Sequence, residues 1–113
     1  MSNLSSMSCT TPREGDDPLS HGASESYLNQ VPDWMIIEQE DLERLTREFK
    51  FKNFVEALNF TNQVGELAEQ EDHHPSILTE WGRVTVTWWT HAVNGLHLND
   101  FIMAAKIDQI YLS

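Results

Sequence analysis

One stretch of the chain, EQEDHHPSILTEWGRVTVTWWTHAVNGLHLND from Glu69 to Asp100, gathers the residues best suited to chemistry. It holds His73, His74 and His91, and imidazole is the side chain whose ordinary titration lies nearest neutral pH. A site built from three of them could both give and take protons under physiological conditions. Glu69 lies four residues before His73, about one helical turn, where its carboxylate could fix the ring's tautomer and orientation. Adjacent side chains on a helix diverge, so His73 and His74 could share a pocket only if the helix ended there. Pro75 supplies that ending, because it pushes His74 out of the helical region.

Each residue also has a plain reading. A His-His-Pro at a helix end can be a polar cap, His91 a surface histidine and Glu69 a solvated charge. Zinc is a chemical alternative, since the three imidazoles and Glu69 offer enough N and O ligands, although adjacent histidines chelate poorly. The joint spacing argues for more: Glu69, three residues, His73-His74-Pro75, five residues, Trp81, nine residues, His91, eight residues, Asp100.

That spacing resembles the active-site signature of the pterin-4a-carbinolamine dehydratases, and the likeness runs from about Trp34 to Ile110, through FKFKNFVEALNFTNQVGELAE and THAVNGLHLNDFIMAAKID. The resemblance implies a dehydratase without metal or cofactor that removes water from a 4a-hydroxytetrahydropterin and so supports tetrahydropterin recycling. It implies His73 and His91 as acid and base, and His74 as a catalytic partner that binds the pterin. Glu69 and Asp100 become orienting carboxylates, with Pro75 and Trp81 shaping the pocket. It also implies a homodimer or homotetramer, and some members of this family have a second role as a coactivator or dimerisation module. Three residues depart from the family pattern: Trp88, Trp89, and His97 where a hydroxyl usually caps the last helix.

The whole chain, 113 residues with a formal net charge of -11, bounds the possibilities. An acidic chain lacks the Lys and Arg clusters needed for direct nucleic-acid binding, and no apolar run approaches the ~20 residues of a spanning helix. Cys9 is the only cysteine. An intramolecular disulfide is therefore impossible, and a reducing compartment fits. The expectation is a cytoplasmic protein, small enough to enter the nucleus as well.

To position the histidines, the sequence predicts an α+β domain in the order ββαββα, with two main helices on one face of a four-stranded antiparallel sheet. Residues 1–26, rich in Ser, Gly, Pro and acid, read as a flexible tail with a solvated His21, leaving 27–113 as the domain. Leu45, Phe49 and Phe51 alternate with charged residues on a strand, where Arg47 breaks the apolar side and reads as an edge residue. Asn53 caps a helix that ends near Asp72, and a hairpin flanks Gly82 and closes on His91. In the final helix Leu98, Phe101, Ile102 and Ala105 form one apolar stripe, with Met103, Ile107, Ile110 and Tyr111 nearly opposite. Two helices on one sheet can cover only one stripe, so the second predicts self-association.

Overall fold

The computed structural model describes residues 3–112. Strands β1 (Met35–Gln39), β2 (Leu42–Lys50), β3 (Ser76–Glu80) and β4 (Arg83–Trp88) form one antiparallel sheet in the order β1-β2-β4-β3. Helices α1 (His21–Leu28), α2 (Phe54–Glu71) and α3 (Leu98–Leu112) complete the expected α+β fold, with one helix more than the sequence predicted.

Period-two alternation sets which face of the sheet is covered. Leu45 pairs with Trp88 and Phe49 with Val84, so these four and Val86 share one face, and all are fully buried. The opposite face carries Thr46 and Thr87, whose hydroxyls are 3.0 Å apart, and Arg44, whose guanidinium lies over the Trp89 ring. β1 and β2 are joined by Glu40 and Asp41, both at positive φ, the two-residue turn whose twist matches an antiparallel pair. Gly82 lies in the turn joining β3 to β4 at φ 72°, and a Cβ there would sit 3.1 Å from the Phe51 carbonyl, so a side chain would be strained on both counts.

Arg47 is not an edge residue, because β2 is an interior strand. It is tolerated on the apolar face because its Nη1 lies 2.7 Å from Asp108 Oδ1 and its guanidinium covers the Phe49 ring. The indole N–H of Trp34 donates to the same carboxylate oxygen at 2.8 Å. Burial pushes the Asp108 carboxyl above its ordinary value, while Trp34 and Arg47 pull it down.

α2 starts where Asn53 Oδ1 accepts the Glu56 amide, and it lays Ala57, Phe60, Val64 and Ala68 on the core. α3 buries residues all round: Phe101, Ile102, Met103, Ala104 and Ile107 are each no more than 1% exposed. Of its second stripe, Met103 and Ile107 are fully buried within the chain while Ile110 and Tyr111 are only half-buried, so the apolar surface left for a partner is smaller than the sequence suggested. Leu4, in a short 3₁₀ turn over Leu4–Ser6, joins the core at 2% exposure. Lys106 Nζ reaches the Ser5 carbonyl at 3.0 Å, and the Tyr27 ring of α1 packs on Phe101.

The expectation of a flexible tail over residues 1–26 is therefore corrected for its described part. The segment lacks periodicity because it packs as single anchors, Leu4, Met7, Cys9 and Leu19, rather than as an amphipathic element. His21, expected to be free, opens α1 and lies 2.7 Å from Glu43 and 2.8 Å from Glu25. Shortening Leu4 should then cost core stability: Leu4→Ala is expected to lose about 2 kcal/mol, the low end for a buried leucine because a terminal segment can relax. Urea unfolding checks this, and an unchanged midpoint would make the segment a free tail after all.

Candidate active site

α2 stops at Asp72, which takes the left-handed conformation at φ 52°, and the amides of Asp72 and His73 both return to the Ala68 carbonyl. This reversal sends the two histidines different ways. His73 turns inward and is 8% exposed, its ring stacked on Trp88 with centroids 5.4 Å apart and planes 5° from parallel. Its Nε2 lies 2.6 Å from Asp100 Oδ1. His74 remains outside, where its Nε2 is hydrogen-bonded to Glu69. Glu69 therefore holds His74, and the expected pairing with His73 is corrected: the left-handed cap carries His73 off the outer face of α2 before the carboxylate can reach it.

Asp100 is wholly buried near the start of α3. Besides His73, it accepts the Thr90 hydroxyl at 2.9 Å and the His97 backbone N–H at 3.0 Å, both on Oδ2. His97 caps α3 through Nδ1, which accepts the Asn99 amide at 2.9 Å. Burial lowers the His97 ring below its ordinary value and His73 acts the same way, while Asp100 opposes them. Thr90 is thus a part of the site that the sequence did not single out, and Trp88 and His97, noted there only as departures from the family pattern, belong to it as well. Only His97 left a usable signal there, the three-residue step to Asp100 that marks a capping box.

The N-terminal segment walls this end of the domain. Thr10 and Asn99 exchange two hydrogen bonds of 3.0 and 2.7 Å, and the Cys9 amide donates to Glu71 at 2.9 Å. Burial, with Glu71 beside it, pushes the Cys9 thiol up to about 12, so it is a poor nucleophile near neutral pH.

His91 does not close a strand as expected. It opens a 3₁₀ turn over His91–Val93, since β4 ends at Trp88 and Thr90 bridges to Gly95. Its side chain is exposed and forms no hydrogen bond among the described residues. It follows directly on Thr90, a ligand of Asp100, and so belongs to the same end of the domain. Pro75 separates His74 from β3 as expected. Trp81 is not brought to the histidines within this chain. It sits, 73% exposed, in the turn beyond the far end of β3, a strand length or roughly 16 Å away.

Among the described residues no three His, Cys, Asp or Glu side chains are placed to hold one metal ion. No helix among them is long and apolar enough to cross a membrane. A cavity of about 280 Å³ lies elsewhere, at the C-terminal end of α3, lined by Asp33, Arg47, Asp108 and Tyr111 among others. Asp108 is engaged there by Arg47 and Trp34.

Residues 17–110 match the family model of pterin 4 alpha carbinolamine dehydratase. A protein of Nitrosococcus oceani is 56% identical over 110 residues, 97% of each chain, and one of Chlorobium luteolum is 50% identical over 111 residues, 98% of this chain and 97% of its own. Both carry the provisional name pterin-4-alpha-carbinolamine dehydratase. A crystal structure of a transcriptional coactivator/pterin dehydratase from Brucella melitensis superposes with a TM-score of 0.76 at 35% identity, covering 84% of this chain and 99% of that one.

The two carboxylate–histidine pairs should respond differently to mutation. Asp100→Ala strips a buried cluster of its acceptor and is expected to cost about 3–5 kcal/mol, whereas Glu69→Ala, in an exposed pair, should cost less than about 1 kcal/mol. Comparable losses in chemical denaturation would contradict this division.

Proposed function

The chain belongs to the pterin 4 alpha carbinolamine dehydratase family, and from that membership we propose that it eliminates water from a 4a-hydroxytetrahydropterin to give a quinonoid dihydropterin. In this elimination the 4a-hydroxyl takes up one proton and leaves as water, while the adjacent ring nitrogen gives up one proton as its double bond to C4a forms. The balance is redox-neutral, so the reaction needs no oxidant or reductant. We assign it no cofactor and no metal, the pterin being substrate, and a role in tetrahydropterin recycling.

The observation that carries this reading is that one end of the domain presents three imidazoles, two of them held by their own carboxylates. His73 is bound to Asp100 through Nε2, so when that nitrogen is the donor a neutral ring carries its lone pair on Nδ1. That supports His73 as the base. His91, exposed and unpartnered among the described residues, suits delivery of a proton to the leaving hydroxyl. His74, exposed and steadied by Glu69, suits contact with the pterin. Pro75 shapes the bend between them, and Trp81 is left out of the proposed site because of its distance.

An enzyme of this kind would work in the cytoplasm, where Cys9 stays reduced. A homodimer or homotetramer now rests mainly on the family likeness, because Met103 and Ile107 of the second stripe are buried within the chain and only Ile110 and Tyr111 stay half-buried. The coactivator role belongs to the name of the Brucella protein; in this chain the carboxylate-held histidines favour the catalytic reading.

The test is to generate the carbinolamine with a pterin-dependent hydroxylase and follow its ultraviolet decay with and without the protein. Faster decay is expected, and an unaltered rate would sink the assignment. His73→Ala should lower the rate by ~10²–10⁴-fold, as for loss of a general acid or base. Glu69→Gln keeps a hydrogen bond to His74 and should cost less; a larger loss there than at His73 would reverse the roles given to the two rings.

A further inference from the structure

His97 is the one imidazole at this end of the domain that the proposed chemistry leaves unused. Its Nδ1 accepts the Asn99 amide, its own amide donates to Asp100 Oδ2, and its carbonyl accepts the Asp100 amide at 2.9 Å. This is a capping box, with imidazole in the place usually taken by a hydroxyl. Asp100 is at once the acid of that box and, through Oδ1, the partner of His73.

We propose that His97 is a positioning residue: its neutral ring closes the cap of α3, which holds the Asp100 carboxylate and, through it, the ring of His73. The catalytic side of this inference rests on the function proposed above. An Nδ1 that accepts a hydrogen bond carries no proton, so the ring is the Nε2–H tautomer. Protonating Nδ1 would turn the acceptor into a donor facing the Asn99 N–H, and the cap would open. A serine or threonine cap has no such dependence on pH.

Three charged or titratable groups act electrostatically on the ring: Asp100 on α3, His73 from the end of α2, and Asp16 from the N-terminal segment. Burial and His73 favour the neutral ring, while Asp100 and Asp16 oppose them. A histidine whose folded value is lowered contributes stability above its ordinary value and loses it as pH falls through the lowered one. The device is therefore closed at neutral pH and released by acid.

Full-length wild type, His97→Ser and His97→Ala separate the possibilities. His97→Ala is expected to lower kcat by about 10- to 100-fold, the scale of a misplaced catalytic group, with KM changed less than about twofold. His97→Ser, which restores an uncharged cap, should recover most of that loss. Independently of turnover, the NMR signal of the His73 Nε2 proton should be present in wild type and His97→Ser and broadened in His97→Ala. Protection of the Asn99 amide should fall as the pH is taken below the ordinary histidine value in wild type but not in His97→Ser. A wild-type kcat and an intact His73 proton signal in His97→Ala would overturn the positioning role even if the dehydratase activity stands. Absence of activity in the wild type would overturn the proposed function instead, and the proton signal and amide protection would still decide what His97 holds.

Discussion

A carboxylate with no exposed surface lies where three parts of the chain meet. Taking Asp100 out of water costs several kcal/mol, and only well-placed partners offset it. Those partners are His73 from beyond the end of α2, Thr90 from beyond β4 and the His97 amide at the entry to α3. The desolvation cost is met only when all three segments arrive together, so the packing of α3 against the sheet and the orientation of His73 are one condition. A histidine ring fixed this way is a structural member, and under the proposed function it is also held ready to accept a proton.

The second pair obeys a different balance. His74 and Glu69 are more than half exposed as side chains, so water screens their attraction and both can move. One imidazole is thus rigid and nearly buried, the other accessible and adjustable, though they are neighbours in sequence. The left-handed Asp72 makes the difference, because a continued helix would have placed both rings on its outer surface.

α3 poses the largest burial problem in the chain, being apolar on almost every side. The sheet and α2 cover part of it, and the segment around Leu4 covers much of the rest. That segment then runs past Asn99 and Glu71 at the histidine end, so the covering of an apolar helix also builds a wall beside the site. Arg47 shows the same economy at the other end, where a charge inside an apolar face is accepted because Asp108 and an aromatic ring meet it.

Much of this was legible in the amino-acid order. Alternation around Leu45, Phe49, Val84 and Val86 and the period of Ala57, Phe60, Val64 and Ala68 determined the strands, the long helix and their buried sides, because burial is periodic in both elements. The spacing from Glu69 to Asp100 determined the family and singled out the histidines and carboxylates that the structure then pairs in its own way. Which carboxylate meets which imidazole was not legible, since a single residue with positive φ at Asp72 redirects His73 by an amount that no periodicity records. Nor was the use of the N-terminal segment, whose isolated anchors have no repeat to detect. Local preferences such as the His97–Asp100 capping step are written along the chain, but His73 lies 27 residues from Asp100, and only the closed tertiary structure brings its ring to the same carboxylate.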